Sequence, residues 1–497
     1  MFRGVRDLLP REMAARQWLI ERIRGVYERY GFLPLETPAL EHLDVLTGSA
    51  GDEASQSIFR VRNPDDPSDE QPVDRLGLRF DLTVPLARVV AQYRDLPRPF
   101  RRYQVSPVWR ADRPDRGRFR EFIQFDIDSV GVESNVADVE IMAAMCDTLS
   151  ALEVGPFRVR FSSRRILNLL LRYAEIPDTL IVRPRRTADS PPGEPVERAG
   201  ADVFRVLDKL EKIGRDNVRL ELTTGYADKS GDWVPGLGLS GEQVDRIDRF
   251  VSIQGDRRAE VLKQLSALFA DVPGAADEIE SLSDMSRQLE MLGYGDDRVA
   301  LDLSVARGLA YYTGPVFEAI LLDAPQFGSV FGGGRYDELV MRFSGEKLPA
   351  TGASIGVDRL LAALVHLDRA PKRTAAAQVL VAVVDRPMMD EYLAMTFELR
   401  RAGIAAELYL GGKGMGRQFK YADQLGIPVV VVYGGNEKAR GIVVLKDMQA
   451  GLARSAEITD HQDWVRERPG QTEVPHGEMI PALRKLLGEI EGETSKS

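Results

Sequence analysis

Between Arg98 and Arg120 the chain sets eight arginines against two aspartates, inside a pattern that leaves few folds open. The runs "FRRYQVSPVWR" (100–110) and "FREFIQFDIDSVG" (119–131) have the aromatic and β-branched content of strands. Between them "ADRPDRG" (111–117) is loop-like through Pro114 and Gly117. Two antiparallel strands joined this way would aim several guanidinium forks from one side, and that fork matches phosphate or carboxylate oxygens. The segment reads either as an anion-binding hairpin or as a solvated basic hairpin. The rest of the chain sharpens the contrast. Over 497 residues the net charge is −10, which argues against blanket coating of nucleic acid but leaves room for a local basic face.

The flanking pattern predicts several domains. An amphipathic helix is expected over 11–30, where Met13, Trp18, Leu19, Ile23, Val26 and Tyr27 recur at helical spacing, closed by Gly31. A helix over 137–152 and the strand "FRVRFSS" follow. From about 166 to 296 a mostly helical pattern without recognisable chemistry reads as an insertion, entered through the polar "PRRTADSPPGEPVERAG". Strand character returns in "RVALDLSV", "YYTGPVFEAIL" and "GSVFGGG", and a helix is expected from Ile355 to Leu367. After the linker "DRAPKRTAAA", strands and helices alternate through "VVVVYG", the pattern of a small α/β domain whose sheet is covered on both faces. The expected division is a core in two parts (1–165 and 297–370), the insertion (166–296), the α/β domain (375–465) and a C-terminal tail (466–497). No run of 18 apolar residues suggests a membrane span, and the N-terminus lacks the apolar region of a secretion signal. One cysteine, Cys146, cannot build a disulfide framework or a cysteine-rich zinc site, and the four histidines stand at no ligand spacing.

Five further stretches carry candidate chemistry, each with a plainer reading beside it. "RFDLTVP" (79–85), read as extended, puts Asp81 and Thr83 on one face, suited to an ammonium group; a helix N-cap explains them equally. "QFDID" aligns Gln124, Asp126 and Asp128 on one strand face, which is costly in a core without a cationic partner, or else is a solvent-facing edge. "ARGLAYYTG" places Arg307 before a turn and Tyr311 and Tyr312 at a strand start, as a polar pocket wall or as core packing. "FGGGRYDEL" lets a flat group approach the backbone, or is an ordinary turn; it is no Walker loop. "TGASIGVDRL" sets Arg359 one turn into an apolar helix, as an anion site or as a snorkelling side chain.

In order along the chain, these stretches resemble the histidyl-tRNA synthetase family of class II aminoacyl-tRNA synthetases. "YGFLPLETP" is similar to motif 1, "VWRADRPDRGRFREFIQFDID" to motif 2 and "GASIGVDRL" to motif 3. "ARGLAYYTGPVFEA" and "FGGGRYDEL" match the two histidine-specific signatures. "GRQFKYADQLGIPVVVVYGGNEKARGIVVLKDM" is similar to the family's C-terminal domain. The resemblance implies an α+β catalytic core built on the class II antiparallel sheet with helices, a helical insertion and a C-terminal α/β anticodon-binding domain. It implies ligation of L-histidine to tRNA(His) through an adenylate, using ATP with Mg2+ on its phosphates and no tightly bound protein-ligated metal. It further implies a cytoplasmic homodimer with no membrane association.

By the same resemblance, the catalytic residues are Arg307, Arg110 and Arg359. ATP is held by Arg110, Arg113, Arg118 and Arg359, with Arg110 on the α-phosphate and Arg359 toward the γ-phosphate. Histidine is held by Asp81, Leu82, Thr83, Gln124, Asp128, Arg307, Tyr311, Tyr312 and Tyr336. Of these, Asp81, Thr83 and Gln124 serve the α-ammonium, and Asp128 and Tyr312 the imidazole nitrogens. Arg307 supplies at the reacting carboxylate the positive charge that other class II enzymes draw from a metal ion. Two positions depart from the family pattern: Ala310 stands where an acid is common, and Asp115 makes "RPD" of the commoner "RPQ". The latter places a carboxylate toward the tRNA acceptor end, where most histidine tRNAs carry an extra 5′ guanosine. Three rivals are weighed: a catalytically silent regulatory paralogue of the histidine-biosynthesis ATP phosphoribosyltransferase, another class II synthetase, and a plain RNA-binding module. Retention of Arg110, Arg307, Arg359 and residues 375–465 speaks against the paralogue.

Overall fold

The two runs flanking the arginine-rich loop pair antiparallel over ten residues each, inside an eight-stranded mixed sheet. This is a computed structural model, and it describes residues 1–47, 57–62, 75–115, 117–184, 187, 190–191, 193–305, 311–371, 376–412, 414–448, 450 and 470–494. In chain order the sheet's strands are β1 (Leu33–Pro34), β2 (Phe100–Trp109), β3 (Glu121–Val130), β4 (Phe157–Ser163), β5 (Val299–Leu301), β6 (Pro315–Leu321), β7 (Ser329–Arg335) and β8 (Ala350–Gly356). Their spatial order is β1-β2-β3-β8-β7-β6-β4-β5. The two short edge strands pair parallel and every other pair is antiparallel.

The register fixes what each face carries, because side chains alternate along a strand. On one face Arg102, Gln104 and Ser106 of β2 stand opposite Asp128, Asp126 and Gln124 of β3. These in turn stand opposite Gly352, Ser354 and Gly356 of β8. Gly334 and Gly332 of β7 continue the first two rows. The other face is covered by helices. Among them, α1 (Pro10–Arg29) stacks Tyr27 edge-on against Phe125 of β3, ring centroids 4.9 Å apart. Helices α2 (Thr83–Gln92) and α3 (Val136–Ala151) follow. On the latter, Asp138 forms a buried ion pair with Arg335 of β7, 2.6 Å apart. Most of α3 is buried, Cys146 included, and Val139, Ile141, Met142 and Met145 give it a core on more than one side.

The insertion opens with α4 (Arg164–Tyr173), capped by the Ser163 hydroxyl accepting from the Arg165 N–H at 3.2 Å. It adds two small hairpins and several short helices. It then closes with α5 (Gly241–Val251), α6 (Arg258–Leu268) and α7 (Ala275–Met291) before β5 returns to the sheet. A Ser240–Gln243 capping box starts α5. After β8 the chain turns into α8 (Val357–His366), two residues later than the sequence pattern suggests, because residues 355 and 356 finish β8.

The chain divides into two compact units, Met1–Arg6 with Leu19–Ala370, and Asp7–Trp18 with Pro371–Ser497. The second unit contains a five-stranded sheet of β9 (Val379–Val381), β10 (Ala406–Leu408), β11 (Val429–Val432), β12 (Ile442–Asp447) and β13 (Gln471–Pro475), ordered β10-β9-β11-β12-β13. The first three pair parallel and the last two antiparallel. Helices α9 (Met389–Arg401) and α11 (Met479–Thr494) contribute Leu399, Leu483 and Leu487 to one face; α10 (Met415–Leu425) contributes Ala422 to the other. The C-terminal stretch, expected to be a tail holding a helix and a frayed polar end, supplies that helix to the core and also an edge strand. No helix among the described residues is long and apolar enough to cross a membrane.

Gly352 tests the register directly. A Cβ built there would collide with Asp128 Oδ1. Gly352→Ala should therefore cost about 1–3 kcal/mol of stability through overpacking, read as a lower denaturant midpoint at unchanged slope.

Candidate active site

A cleft of about 660 Å³ opens over the polar face of the eight-stranded sheet. Its floor is the cross-strand lattice just described. Its walls come from the arginine-rich loop, the segment entering α2, the tyrosines after residue 310 and the start of α8; Asp208 and Lys212 of the insertion also line it.

Arg110 follows β2 directly. Its Nε donates to the Phe80 carbonyl at 2.9 Å and its Nη2 to Gln124 Oε1 at 3.3 Å, with the guanidinium over the Phe122 ring. Gln124 then donates through Nε2 to the Ser354 hydroxyl. The loop beyond turns tightly: Asp115 and Arg118 exchange backbone hydrogen bonds at 3.2 and 2.9 Å, and Gly117 takes a φ of +68°, which favours glycine. Arg113, Asp115 and Arg118 are exposed along the cleft, while Arg116 lies outside the described residues. Arg359 on α8 lines the same region and donates to the Ser329 carbonyl at 2.6 Å. Residues 1–6 brace the loop's base. The Arg120 N–H donates to the Gly4 carbonyl at 2.7 Å, Arg6 lies 3.8 Å over the Phe119 ring, and Arg6 pairs at 2.9 Å with Asp358, next to Arg359.

The "RFDLTVP" stretch is not extended. Thr83 opens α2, and Asp81 Oδ1 accepts from the Val84 N–H at 3.1 Å, a local bond that turns the chain into the helix. The plainer helix-start reading therefore holds for the backbone, yet the carboxylate still lines the cleft and its other oxygen accepts from the Tyr311 hydroxyl at 3.4 Å. Burial pushes Asp81 up to about 6, opposed by the Val84 N–H and by Arg110 and Arg102. Leu82 is fully buried, and its carbonyl accepts from Arg102 at 3.0 Å.

The cationic partner demanded by "QFDID" is Arg102, which sequence reasoning missed. Its Nη2 lies 2.8 Å from Asp128 Oδ2, and both side chains are buried. The one available signal was that Arg102, Gln104 and Ser106 form a polar row at period two, but only the register shows which acid each faces. Tyr336 donates its hydroxyl to Asp128 Oδ1. Tyr311 stands between Tyr312 and Tyr336, with ring centroids 5.0 and 6.0 Å away. Both tyrosines of the "YY" pair precede β6 instead of starting it. The glycines of β7 and β8 make room for the protein's own groups: a Cβ at Gly334 would meet the Tyr312 ring at 2.8 Å. Burial raises Asp128, and Arg102 and the Tyr336 hydroxyl restrain it. Burial and the neighbouring Asp128 push Asp126 up to about 7, with Arg102 opposing. Arg307 and Ala310 lie outside the described residues. Among the described residues no group of three or more histidine, cysteine or acidic side chains could hold a metal ion.

Comparison with known proteins shows the family and the fold. A family model described as histidyl-tRNA synthetase matches residues 4–191 and 196–360, and an anticodon binding domain matches 378–468. A curated Paracoccus denitrificans protein named histidine–tRNA ligase is 42% identical over 500 residues, covering 98% of this chain and 97% of its own. A Cereibacter sphaeroides protein of the same name is 42% identical over 501 residues, with coverages of 98% and 97%. The crystal structure of histidyl-tRNA synthetase from Nostoc sp. PCC 7120 superposes with a TM-score of 0.75 at 31% identity, covering 98% of each chain.

The raised Asp126 has a consequence for stability. Its carboxyl moves from an ordinary 3.8 to about 7 on folding, so the folded chain holds that proton more tightly than the unfolded chain. Stability is therefore lost as pH rises from about 4 to about 7. Asp126→Asn removes the ionisation, so it should melt ~2–4 °C above the wild type at pH 8 and converge with it only below about pH 4, as read by thermal unfolding across that range.

Proposed function

The chain belongs to the histidyl-tRNA synthetase family, and on that premise we propose how its residues divide the work of a class II histidine–tRNA ligase. The overall reaction joins L-histidine to tRNA through histidyl-adenylate at the cost of ATP. The observation that carries the assignment of roles is the continuity of one sheet face. The anion-binding Arg110–Gln124 pair stands two strand positions from Asp126 and four from the Asp128–Arg102–Tyr336 cluster.

ATP enters as its magnesium complex, the metal riding on the phosphates as part of the substrate. Arg110 lies where the α-phosphate and the amino-acid carboxylate meet. Arg359, Arg113 and Arg118 take the outer phosphates and the tRNA end. Histidine's carboxylate oxygen attacks the α-phosphorus in line and pyrophosphate leaves. The fixed guanidinium charges of Arg110 and Arg307 stabilise the charge that develops, and no side chain needs to act as a base. The 3′-terminal hydroxyl of the tRNA then attacks the activated carbonyl, releasing AMP.

At the other end of the cleft, Asp128 and the Tyr312 phenol address the two imidazole nitrogens, with Tyr311 and Tyr336 lining the ring pocket. Asp81, Thr83 and Gln124 serve the α-ammonium, and Leu82 holds the segment that presents them. A pocket that hydrogen-bonds both ring nitrogens leaves buried groups unpaired when an apolar isostere enters, and so rejects it strongly. The anticodon-binding domain supplies the second tRNA contact. A cytoplasmic homodimer, with motif 1 at the subunit face, completes the reading. The regulatory paralogue is disfavoured by the full-length match to curated ligases.

ATP–pyrophosphate exchange tests the assignment. Exchange should require L-histidine among the amino acids, and an absence of exchange with all of them would favour the paralogue. Arg307→Lys keeps the charge but loses the fork, so kcat should fall by at least about tenfold while KM for ATP moves less than about threefold; steady-state kinetics read both. Asp115 adds a carboxylate to the loop that meets the acceptor end. Aminoacylation should accordingly proceed within about threefold kcat/KM on tRNA(His) with or without the extra 5′ guanosine, since that acid disfavours an additional phosphate. A large loss without the guanosine would sink the idea.

A further inference from the structure

One acid on the cleft floor has no role in the assignments above. Asp126 lies on β3 between Gln124 and Asp128, faces the same way, is 2% exposed and lines the cleft. Ser354 serves its carboxylate from β8, but Oδ1 has no hydrogen-bond donor among the described residues. The polar side chains beside it are engaged with other partners. Gln104, directly opposite, donates to Thr37 Oγ1 at 3.1 Å and Glu36 Oε1 at 3.3 Å. Gln124 accepts from Arg110 and donates to Ser354. Asp81 accepts from the Val84 N–H through one oxygen and from the Tyr311 hydroxyl through the other. A buried carboxylate oxygen left without a donor is costly, and this one borders the space that a substrate fills.

Its place along the strand selects the donor. Two positions toward β2's loop lies the Arg110–Gln124 pair that receives a carboxylate; two positions the other way lies the Asp128–Tyr336 pair that receives an imidazole ring. In an α-amino acid the group between those two is the amine. We propose that Asp126 is a specificity-determining contact, its open oxygen joining Asp81 in receiving the α-ammonium group of the histidine substrate. The inference rests on the family-based reading of the site and adds a contact that reading does not contain.

Charge supports the placement. Arg102 is the nearby cation; Asp128, Asp81, Arg79 and the Tyr27 phenol of α1 are the other titratable groups that act on Asp126. Burial, together with Asp128 and Asp81, holds its carboxyl up to about 7. An arriving ammonium lowers that value, so the carboxylic acid gives its proton to the buffer as the amine binds. Affinity then rises with pH through roughly 6 to 7.5.

Titration calorimetry on the full chain tests this with L-histidine, L-histidinol and 3-(imidazol-4-yl)propanoate, which lacks the amine. Each is run at pH 7 in phosphate and in Tris. Asp126→Asn should weaken the two amines about tenfold, leave the deamino acid within about twofold, and remove part of the proton release seen with wild-type protein. An equal loss for all three ligands, or an unchanged proton count with unchanged affinity, overturns the proposal. Histidine-dependent pyrophosphate exchange by the wild type reads the underlying assignment separately, so failure of one is distinguishable from failure of the other.

Discussion

The cleft is organised by a single ion pair that water does not reach. Arg102 and Asp128 face each other across β2 and β3, and the arginine's second duty, to the Leu82 carbonyl, anchors the segment that enters α2. Burying two charges is expensive, and the pair repays this only with good geometry and further hydrogen bonds. Tyr336 and the Leu82 carbonyl provide two such bonds, while Nε and Nη1 of Arg102 have no hydrogen-bond partner among the described residues. The pair also excludes other registers: a slip of one residue along β3 would turn all three polar residues of "QFDID" into the helical layer, where Phe125 now meets Tyr27. The glycines opposite Asp128 and Tyr312 follow from the same demand for room.

The eight arginines between Arg98 and Arg120 do different things. Arg101 bonds the Tyr30 carbonyl and pairs with Glu140, Arg98 pairs with Glu346, and Arg102 belongs to the floor. Arg120 donates to the carbonyls of Asp112 and Arg3. Arg110, Arg113 and Arg118 line the cleft. A local excess of positive charge in an acidic chain is therefore in large part scaffolding, and the share left for anions is held in place by the rest.

Much of this was legible before any coordinates. The paired strands, the loop between them, the acid row and the alternating C-terminal domain all follow from local pattern, and motif order pointed to the family. What escaped has identifiable causes. Periodicity assigns a residue to a face but not to a partner, so the acid row was visible and Arg102 was not. Asp81 was read as extended because a helix that begins two residues after an aspartate looks, over so short a stretch, like period-two alternation. The strand Gln471–Pro475 is half exposed and rests on one edge, so it lacks the apolar run by which the inner strands are recognised. Asp126 looks like one more member of a row, since nothing local distinguishes an acid facing an arginine from one with an oxygen left open.

The bracing of the arginine loop by residues 1–6 sets what an N-terminal truncation would remove. Met13 is in frame within α1, and a polypeptide begun there would contain every motif of the family. It would lack the Gly4 carbonyl under Arg120 and the Arg6 side chain that sits on Phe119 and pairs with Asp358. A chain shortened to Met13 would be complete by every sequence signature, yet would lose the brace beneath its arginine loop.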